Sequence, residues 1–300
     1  MKPFQDYAMH KNQRGFSLVE LMIAMTIGLA ITAAIGYMFQ TSKTAFNTSQ
    51  GMARVQDNAR TAQLLLNSIV RQAGYIDDVI DNSDPAAVFT SPAYSIRGGS
   101  PSGLQSTITW VAANPSYKNT ATDESGTQLL NRDFLEVAFN GDSNNDMVNC
   151  LGTVITAAQL SINVFYVDQI TANHDTVPSL YCETETVTLG ATGTVVKNSY
   201  GKQPLIAGIT GLQVTYGYDS DANGTIDSYV PASLISSANW VNVKSMTIRL
   251  TAMSNNKANP SSNSTSVTYT NAANTQTMQN GYLTRPIIST LQVRNRLVKL

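Results

Sequence analysis

The sequence predicts an α+β fold in which one long N-terminal α-helix packs on a C-terminal antiparallel β-sheet domain. Three observations carry this reading. From Phe16 to Phe39 the chain runs 24 residues with a single charge, Glu20. A helical period then continues to Ala73, but with one apolar stripe in place of an apolar surface all round. Beyond residue 105 the apolar period drops to two, the period of strands.

The first element is the apolar run. As a helix its 24 residues reach about 36 Å, enough to cross a bilayer core of ~30 Å. A secretory signal places its small-residue cleavage site after the apolar core, whereas here Gly15-Phe16 lies before it, behind a polar leader. That leader carries Lys2, Lys11 and Arg14 against Asp6, so its loss takes the net charge from −1 to −3. Basic residues before an anchor hold the leader in the cytoplasm and send the rest outward.

The second element is the amphipathic continuation. Met52, Val55, Ala59, Ala62, Leu66, Ile69 and Ala73 recur at three- and four-residue steps, with Arg54, Asp57, Arg60, Gln63 and Arg71 between them. Gly74 supplies a stop, and Gly28, Gly36 and Gly51 are places where the helix can bend. The expected divisions are leader 1–15, anchor 16–39, amphipathic half 40–75 and a β-rich globular domain 76–300.

Residues 76–105 read as a connecting loop rich in Asp, Ser, Pro and Gly. Alternation then predicts strands around Ile108–Ala112, Leu135–Phe139, Leu160–Tyr166, Leu212–Tyr218, Met246–Leu250 and Leu291–Leu297. Six or more short strands between polar loops point to antiparallel sheet. Ser254–Asn263 reads as an exposed polar loop.

Charged residues make up 13% against a usual ~25%, and Ser, Thr and Asn take the polar share, which suits an extracytoplasmic β-rich domain. A mildly acidic mature chain gives no electrostatic case for direct nucleic-acid binding. Cys150 and Cys182 are the only cysteines, and in an oxidising compartment they are expected to pair; two free buried thiols are the alternative.

Asp219-Ser-Asp221-Ala-Asn223-Gly224-Thr225-Ile226-Asp227 follows the first nine positions of an EF-hand-type calcium loop. Asp219, Asp221, Asn223, Asp227 and the Thr225 carbonyl would be the ligands, but position 12 is Val230 instead of a bidentate Glu. A bare hairpin turn favours the same residues, so weak calcium binding and a turn both stay open, and no cofactor is required. Asp142–Asp146 is a poorer relative that reads as a turn.

Catalysis finds little support. His174, in the polar stretch Thr171–Thr176 that reads as loop, is the single histidine beyond the leader, so a His-based triad or zinc site lacks parts. Ser254-Asn-Asn-Lys257 fits the weak pattern S-x-x-K, and no P-loop or G-x-G-x-x-G is present. Arg285, Arg294, Arg296 and Lys299 form a basic C-terminal stretch that reads as a solvated or subunit-contact face. A membrane-tethered periplasmic enzyme is therefore a poor fit.

Arg14-Gly15-Phe16-Ser17-Leu18-Val19-Glu20-Leu21 closely resembles the prepilin signal of type IV pilins and type II secretion pseudopilins. The resemblance implies cleavage after Gly15 by a membrane peptidase and methylation of the new Phe16 amine. It also implies that Glu20 pairs with the Phe16 amine of a neighbouring subunit and sets axial register. The plainer alternative has Glu20 snorkelling into the headgroups, since a carboxylate at a bilayer centre costs about 2.5–3.5 kcal/mol.

Ala53–Arg60, Gln72–Tyr75, Gly211–Asp219, Trp240–Leu250, Cys150–Gly152, Tyr181-Cys182 and Val293–Leu297 resemble PilW-type minor pilins. That resemblance implies a subunit that helps prime type IV pilus assembly at the inner membrane and sits at the fibre tip. The partners it implies are the prepilin peptidase, other minor pilins, the major pilin and a tip adhesin. Twitching motility, adhesion and DNA uptake would follow from the pilus. A J-type minor pseudopilin of a type II secretion system shares leader, anchor and fold, and is the alternative.

Overall fold

The computed structural model describes residues 15–75, 96–99, 133–172, 175–189, 195–254, 268–271, 274–277 and 282–293. The chain divides into two units, Met1–Asn47 and Thr48–Leu300. One helix, α1 (Leu18–Val70), contributes to both.

In the first unit the described residues are Gly15, Phe16, Ser17 and the start of α1, and almost every side chain is exposed. This stretch is long and apolar enough to cross a membrane, and none of its most apolar window is buried. Its few hydroxyls are satisfied locally. Thr26 donates to the Ile23 carbonyl at 2.9 Å and Thr32 to that of Gly28 at 2.8 Å. Thr41 likewise donates to Tyr37 at 2.9 Å. Such back-bonding lets a polar side chain enter an apolar medium without an orphaned donor.

In the second unit α1 buries Val55, Ala59, Ala62, Leu66, Ile69 and Val70, the stripe that the three- and four-residue steps predict. The helix ends in a turn at Gly74, whose φ of 70° favours glycine and whose N–H donates to the Ala138 carbonyl at 2.9 Å.

The strands are β1 (Ile96–Gly99), β2 (Phe134–Asn140), β3 (Gln159–Ala172), β4 (Asp175–Leu189), β5 (Val195–Ala207), β6 (Ile209–Tyr218), β7 (Ser228–Pro231), β8 (Val243–Met253), β9 (Thr268–Asn271), β10 (Asn274–Thr277) and β11 (Thr284–Gln292). Two short 3-10 turns, Ala232–Leu234 and Ser237–Asn242, lie between β7 and β8. A five-stranded sheet runs β1-β2-β3-β4-β5, a four-stranded sheet runs β11-β8-β6-β7, and β9 and β10 pair as a ribbon. All these pairings are antiparallel. The fold is α+β and pilin-like, with one long N-terminal helix and antiparallel sheets.

The main core gathers the helix stripe with Leu135, Val137, Phe139, Phe165 and Leu180 of the first sheet. Leu212, Val214, Tyr216, Met246, Ile248 and Leu250 of the second sheet complete it. Each fully buried side chain of this size is worth roughly 1.5–3 kcal/mol. Tyr216 sets its ring edge-on to Trp240, with centroids 4.8 Å apart.

Four expectations need correction. Leu160, Ile162 and Val164 belong to a second apolar cluster with Ala138 and Val187, while Phe165 and Val167 of the same strand enter the main core. The first sheet is therefore apolar on both faces, which a single alternating set does not convey. Strands β3 and β4 are 14 and 15 residues long, not short. Residues 76–105 include β1, a strand inside the expected loop. Finally, Thr171, Ala172, Asp175 and Thr176 are strand ends instead of loop. The expected strand at 108–112, His174, Lys257, Arg294, Arg296 and Lys299 lie outside the described residues.

Candidate functional site

Two regions hold the residues singled out from sequence. The first is the N-terminal segment. Gly15, Phe16 and Ser17 precede α1 and are exposed, Phe16 by 83%. A Cβ added at Gly15 would meet nothing within 4 Å, so the fold itself does not demand glycine there. Glu20 lies in the first helical turn, where a carboxylate complements the helix dipole. It too is exposed, on the apolar part of the helix.

The second region is the loop joining β6 to β7. The loop is closed by Asp219, which is fully buried and whose two oxygens accept the Asn223 N–H at 3.1 Å and the Gly224 N–H at 2.8 Å. Lys244 places its ammonium 3.6 Å from Asp219 Oδ2. Burial works to raise the Asp219 pKa, but the two N–H groups, Asp221 and Lys244 together outweigh it and hold the carboxyl below its ordinary value. Asp227 accepts both the Ser220 hydroxyl, at 2.6 Å, and the Ser220 N–H, at 2.7 Å, which depress its pKa.

Asp221 takes the Asn223 amide at 2.8 Å, and Asn223 Oδ1 takes the Thr225 N–H at 2.8 Å. Ala222 and Gly224 have φ of 59° and 93°, which turns the chain tightly enough to aim these groups inward. Asp219, Asp221 and Asp227 offer oxygens within 4.8 Å of one another. Asn223 and Thr225 lie in the same turn, but the Asn223 carbonyl oxygen is already engaged by Thr225. The poorer relative at Asp142 is a turn: its Oδ1 accepts the Asp146 and Met147 N–H groups at 2.8 and 3.0 Å.

Cys150 and Cys182 form a disulfide, with Cα atoms 6.4 Å apart. It fastens the loop after β2 to the middle of β4. The Cys150 N–H donates to the buried Asn163 side chain on β3 at 2.9 Å, so the same loop is held to two strands.

Sequence reasoning missed a cluster on the first sheet. The Glu183 carboxylate accepts the Tyr200 hydroxyl at 2.7 Å and the Tyr166 hydroxyl at 3.4 Å. Lys202 stands 5.5 and 5.3 Å from the ring centroids of Tyr166 and Tyr181, which stack on each other. Burial pushes the Glu183 pKa up, against the pull of Tyr200 and Lys202. No local motif signals this cluster, because it forms only when β3, β4 and β5 pair. Ser254, the serine of S-x-x-K, is buried and its hydroxyl accepts the Leu283 N–H at 3.0 Å, a structural bond.

One long N-terminal helix, apolar and exposed over its first half, together with antiparallel sheets and a disulfide, is the architecture of a pilin-like protein with a candidate membrane anchor. The comparisons specify the kind. The family model described as Type IV Pilus-assembly protein W matches residues 164–295, and that of the Prokaryotic N-terminal methylation motif matches residues 10–36. No curated protein and no solved structure matches the chain. Over those residues the chain is similar to PilW-type, pilin-like proteins of type IV pilus assembly. The methylation motif implies processing by a prepilin peptidase and contact with other pilus components.

Proposed function

We propose that this protein is a minor pilin that helps prime type IV pilus assembly and sits at the fibre tip. It supports twitching motility, adhesion and DNA uptake through the pilus. Its leader stays in the cytoplasm, its anchor crosses the inner membrane, and its β-rich domain faces the periplasm before reaching the cell surface. Other minor pilins, the major pilin and a tip adhesin are its partners. The observation that carries this reading is Glu20, one exposed carboxylate near the start of an exposed apolar helix.

After cleavage the Phe16 amine is a cation beside that anion. In a bundle of such helices the amine of an incoming subunit meets Glu20 of one already placed. Either charge left alone in that medium costs several kcal/mol, so wrong register is penalised. Glu20→Ala is expected to leave cleavage and membrane insertion intact while reducing co-purification with other minor pilins and the number of pili. The variant is expressed at native level and scored for membrane content, partner recovery and piliation. Wild-type recovery and pilus number would show that Glu20 only snorkels.

The proposal extends to a weak calcium site in the loop. It is supported by the three carboxylates of Asp219, Asp221 and Asp227 within 4.8 Å, with the Asn223 side chain and Thr225 carbonyl as further oxygen donors. Lys244 and the loop N–H groups already satisfy Asp219, so affinity is expected in the ~10⁻⁴–10⁻³ M range. Calorimetric titration of the purified protein with CaCl₂ checks this. Absence of heat at about 10⁻² M calcium, or an unchanged isotherm in Asp221→Asn with Asp227→Asn, would leave the loop a turn.

A further inference from the structure

Between Glu20 and Arg54 the sequence carries a single charge, Lys43. Glu20 and Lys43 both lie on α1, in the part of the helix that belongs to the first unit, and both are exposed. Residues 21–42 between them are uncharged. As helix they rise about 33 Å, against a bilayer core of ~30 Å. The two charges are thus spaced to reach opposite headgroup layers at the same time.

The aromatic residues mark the same two levels. Phe16 stands at one end and Tyr37, Phe39 and Phe46 at the other, with none from residue 17 to residue 36. All four rings are exposed, and aromatic rings collect at membrane–water interfaces. Phe39 stands four residues before Lys43 and Phe46 three after it, so the three side chains share one helix face. That face gives the Lys43 stem apolar neighbours while its ammonium reaches the headgroups. Polar side chains at this level are satisfied within the helix. Thr41 donates to the Tyr37 carbonyl at 2.9 Å and Thr44 to that of Gln40 at 3.0 Å. We propose that Lys43 is a phospholipid-binding residue, its ammonium on the headgroup phosphates of one leaflet while Glu20 lies among the headgroups of the other.

The consequence is a defined depth. The apolar run Phe16–Phe39 taken alone would centre the helix at Ile27 and Gly28, and would leave Glu20 in hydrocarbon. The pair of charges centres it at Ile31 and Thr32 instead. That shift gives up the burial of Phe16, Leu18 and Val19 but withdraws a carboxylate, and on insertion scales one carboxylate outweighs three such apolar residues. An ammonium near anionic phosphates adds a further attraction. The proposal rests on the reading of α1 as a membrane span. It makes the pairing of Glu20 with a neighbouring Phe16 amine a step that begins from a hydrated carboxylate.

The test uses the mature full chain in vesicles of phosphatidylethanolamine and phosphatidylglycerol. With ¹⁵N-labelled lysine, recoupling to lipid ³¹P should show an ammonium signal in contact with phosphate in wild type, and its loss in Lys43→Gln. Nitroxides are then placed on single cysteines introduced along residues 24–36, since the disulfide-bonded Cys150 and Cys182 do not react. Accessibility to oxygen relative to a water-soluble nickel chelate should peak at Ile31 and Thr32, about 6 Å along the helix from the centre of the apolar run. Identical lysine signals in wild type and Lys43→Gln, as when a carboxylate of another subunit holds Lys43, would overturn the proposal. A peak at Ile27 and Gly28 would overturn it as well, with the spanning reading intact. Release of the chain from the vesicles by alkaline carbonate would instead sink the spanning reading, and the lipid contact with it.

Discussion

Gly15→Val is expected to abolish maturation, leaving the full-length precursor in the membrane. Residues 15–17 lie outside α1 and are exposed, so no helical hydrogen bond or packing has to be broken to reach the Gly15-Phe16 bond. A Cβ on residue 15 meets nothing within 4 Å in the chain's own structure. Substitution there should therefore leave the helix and the β-rich unit intact, and any effect belongs to recognition by the processing enzyme. The consequence reaches assembly, because without cleavage no Phe16 amine exists to meet Glu20. Mass spectrometry of the wild-type mature chain should find N-methylated Phe16 as its first residue, and the Gly15→Val product should retain Met1. A wild-type N-terminus beyond residue 30 would instead mean an ordinary signal peptide.

How much of this was legible in the sequence follows from how local each signal is. The stripe Val55, Ala59, Ala62, Leu66 and Ile69 is written at helical spacing and is the stripe buried by α1. Strands β2, β6 and β8 follow apolar alternation because one of their faces meets the main core, whereas β11 ends at Gln292 and shares only two residues with the strand expected at Leu291–Leu297. Strands β4 and β5 carry no such signal. Along Glu183, Thr184, Glu185 and Thr186 both faces are polar, and yet all four residues are buried. Glu183 there meets Tyr200 and Lys202 of β5, partners that only strand pairing brings to it.

The loop at Asp219 was legible as a turn or a calcium loop, since Asp, Asn and Gly serve both; the choice depends on a lysine 25 positions on, Lys244, that the local motif does not contain. The bond by which Asp133 Oδ2 accepts the Val214 N–H was not legible at all. Its partner Val214 is 81 residues away, and pairing at such a distance leaves no trace in local composition.

Cys150→Ser is expected to lower the stability of the mature protein by about 2–5 kcal/mol. The bond closes a segment with a sequence separation of 32, and removing that constraint from the unfolded chain is worth roughly 3.7 kcal/mol on the loop-entropy account. The native side of the equilibrium retains other ties. The Cys150 N–H still reaches Asn163, and Asn149 Oδ1 still accepts the N–H groups of Leu151 and Thr153 at 3.0 and 2.9 Å. Leu151 also lies against Gly201 of β5, where an added Cβ would come within 2.6 Å of its Cδ1. The variant should therefore fold, with its denaturant midpoint lowered and its slope somewhat raised, because the unfolded chain without the cross-link exposes more surface. Loss is expected to concentrate in the loop from Asp142 to Thr156, which hydrogen exchange would register as faster exchange there than in β6 or β8. In the wild type, alkylation without reduction should label neither cysteine. Quantitative labelling of both, or an unchanged midpoint in Cys150→Ser, would mean that the hydrogen bonds and packing of the loop suffice without the covalent link.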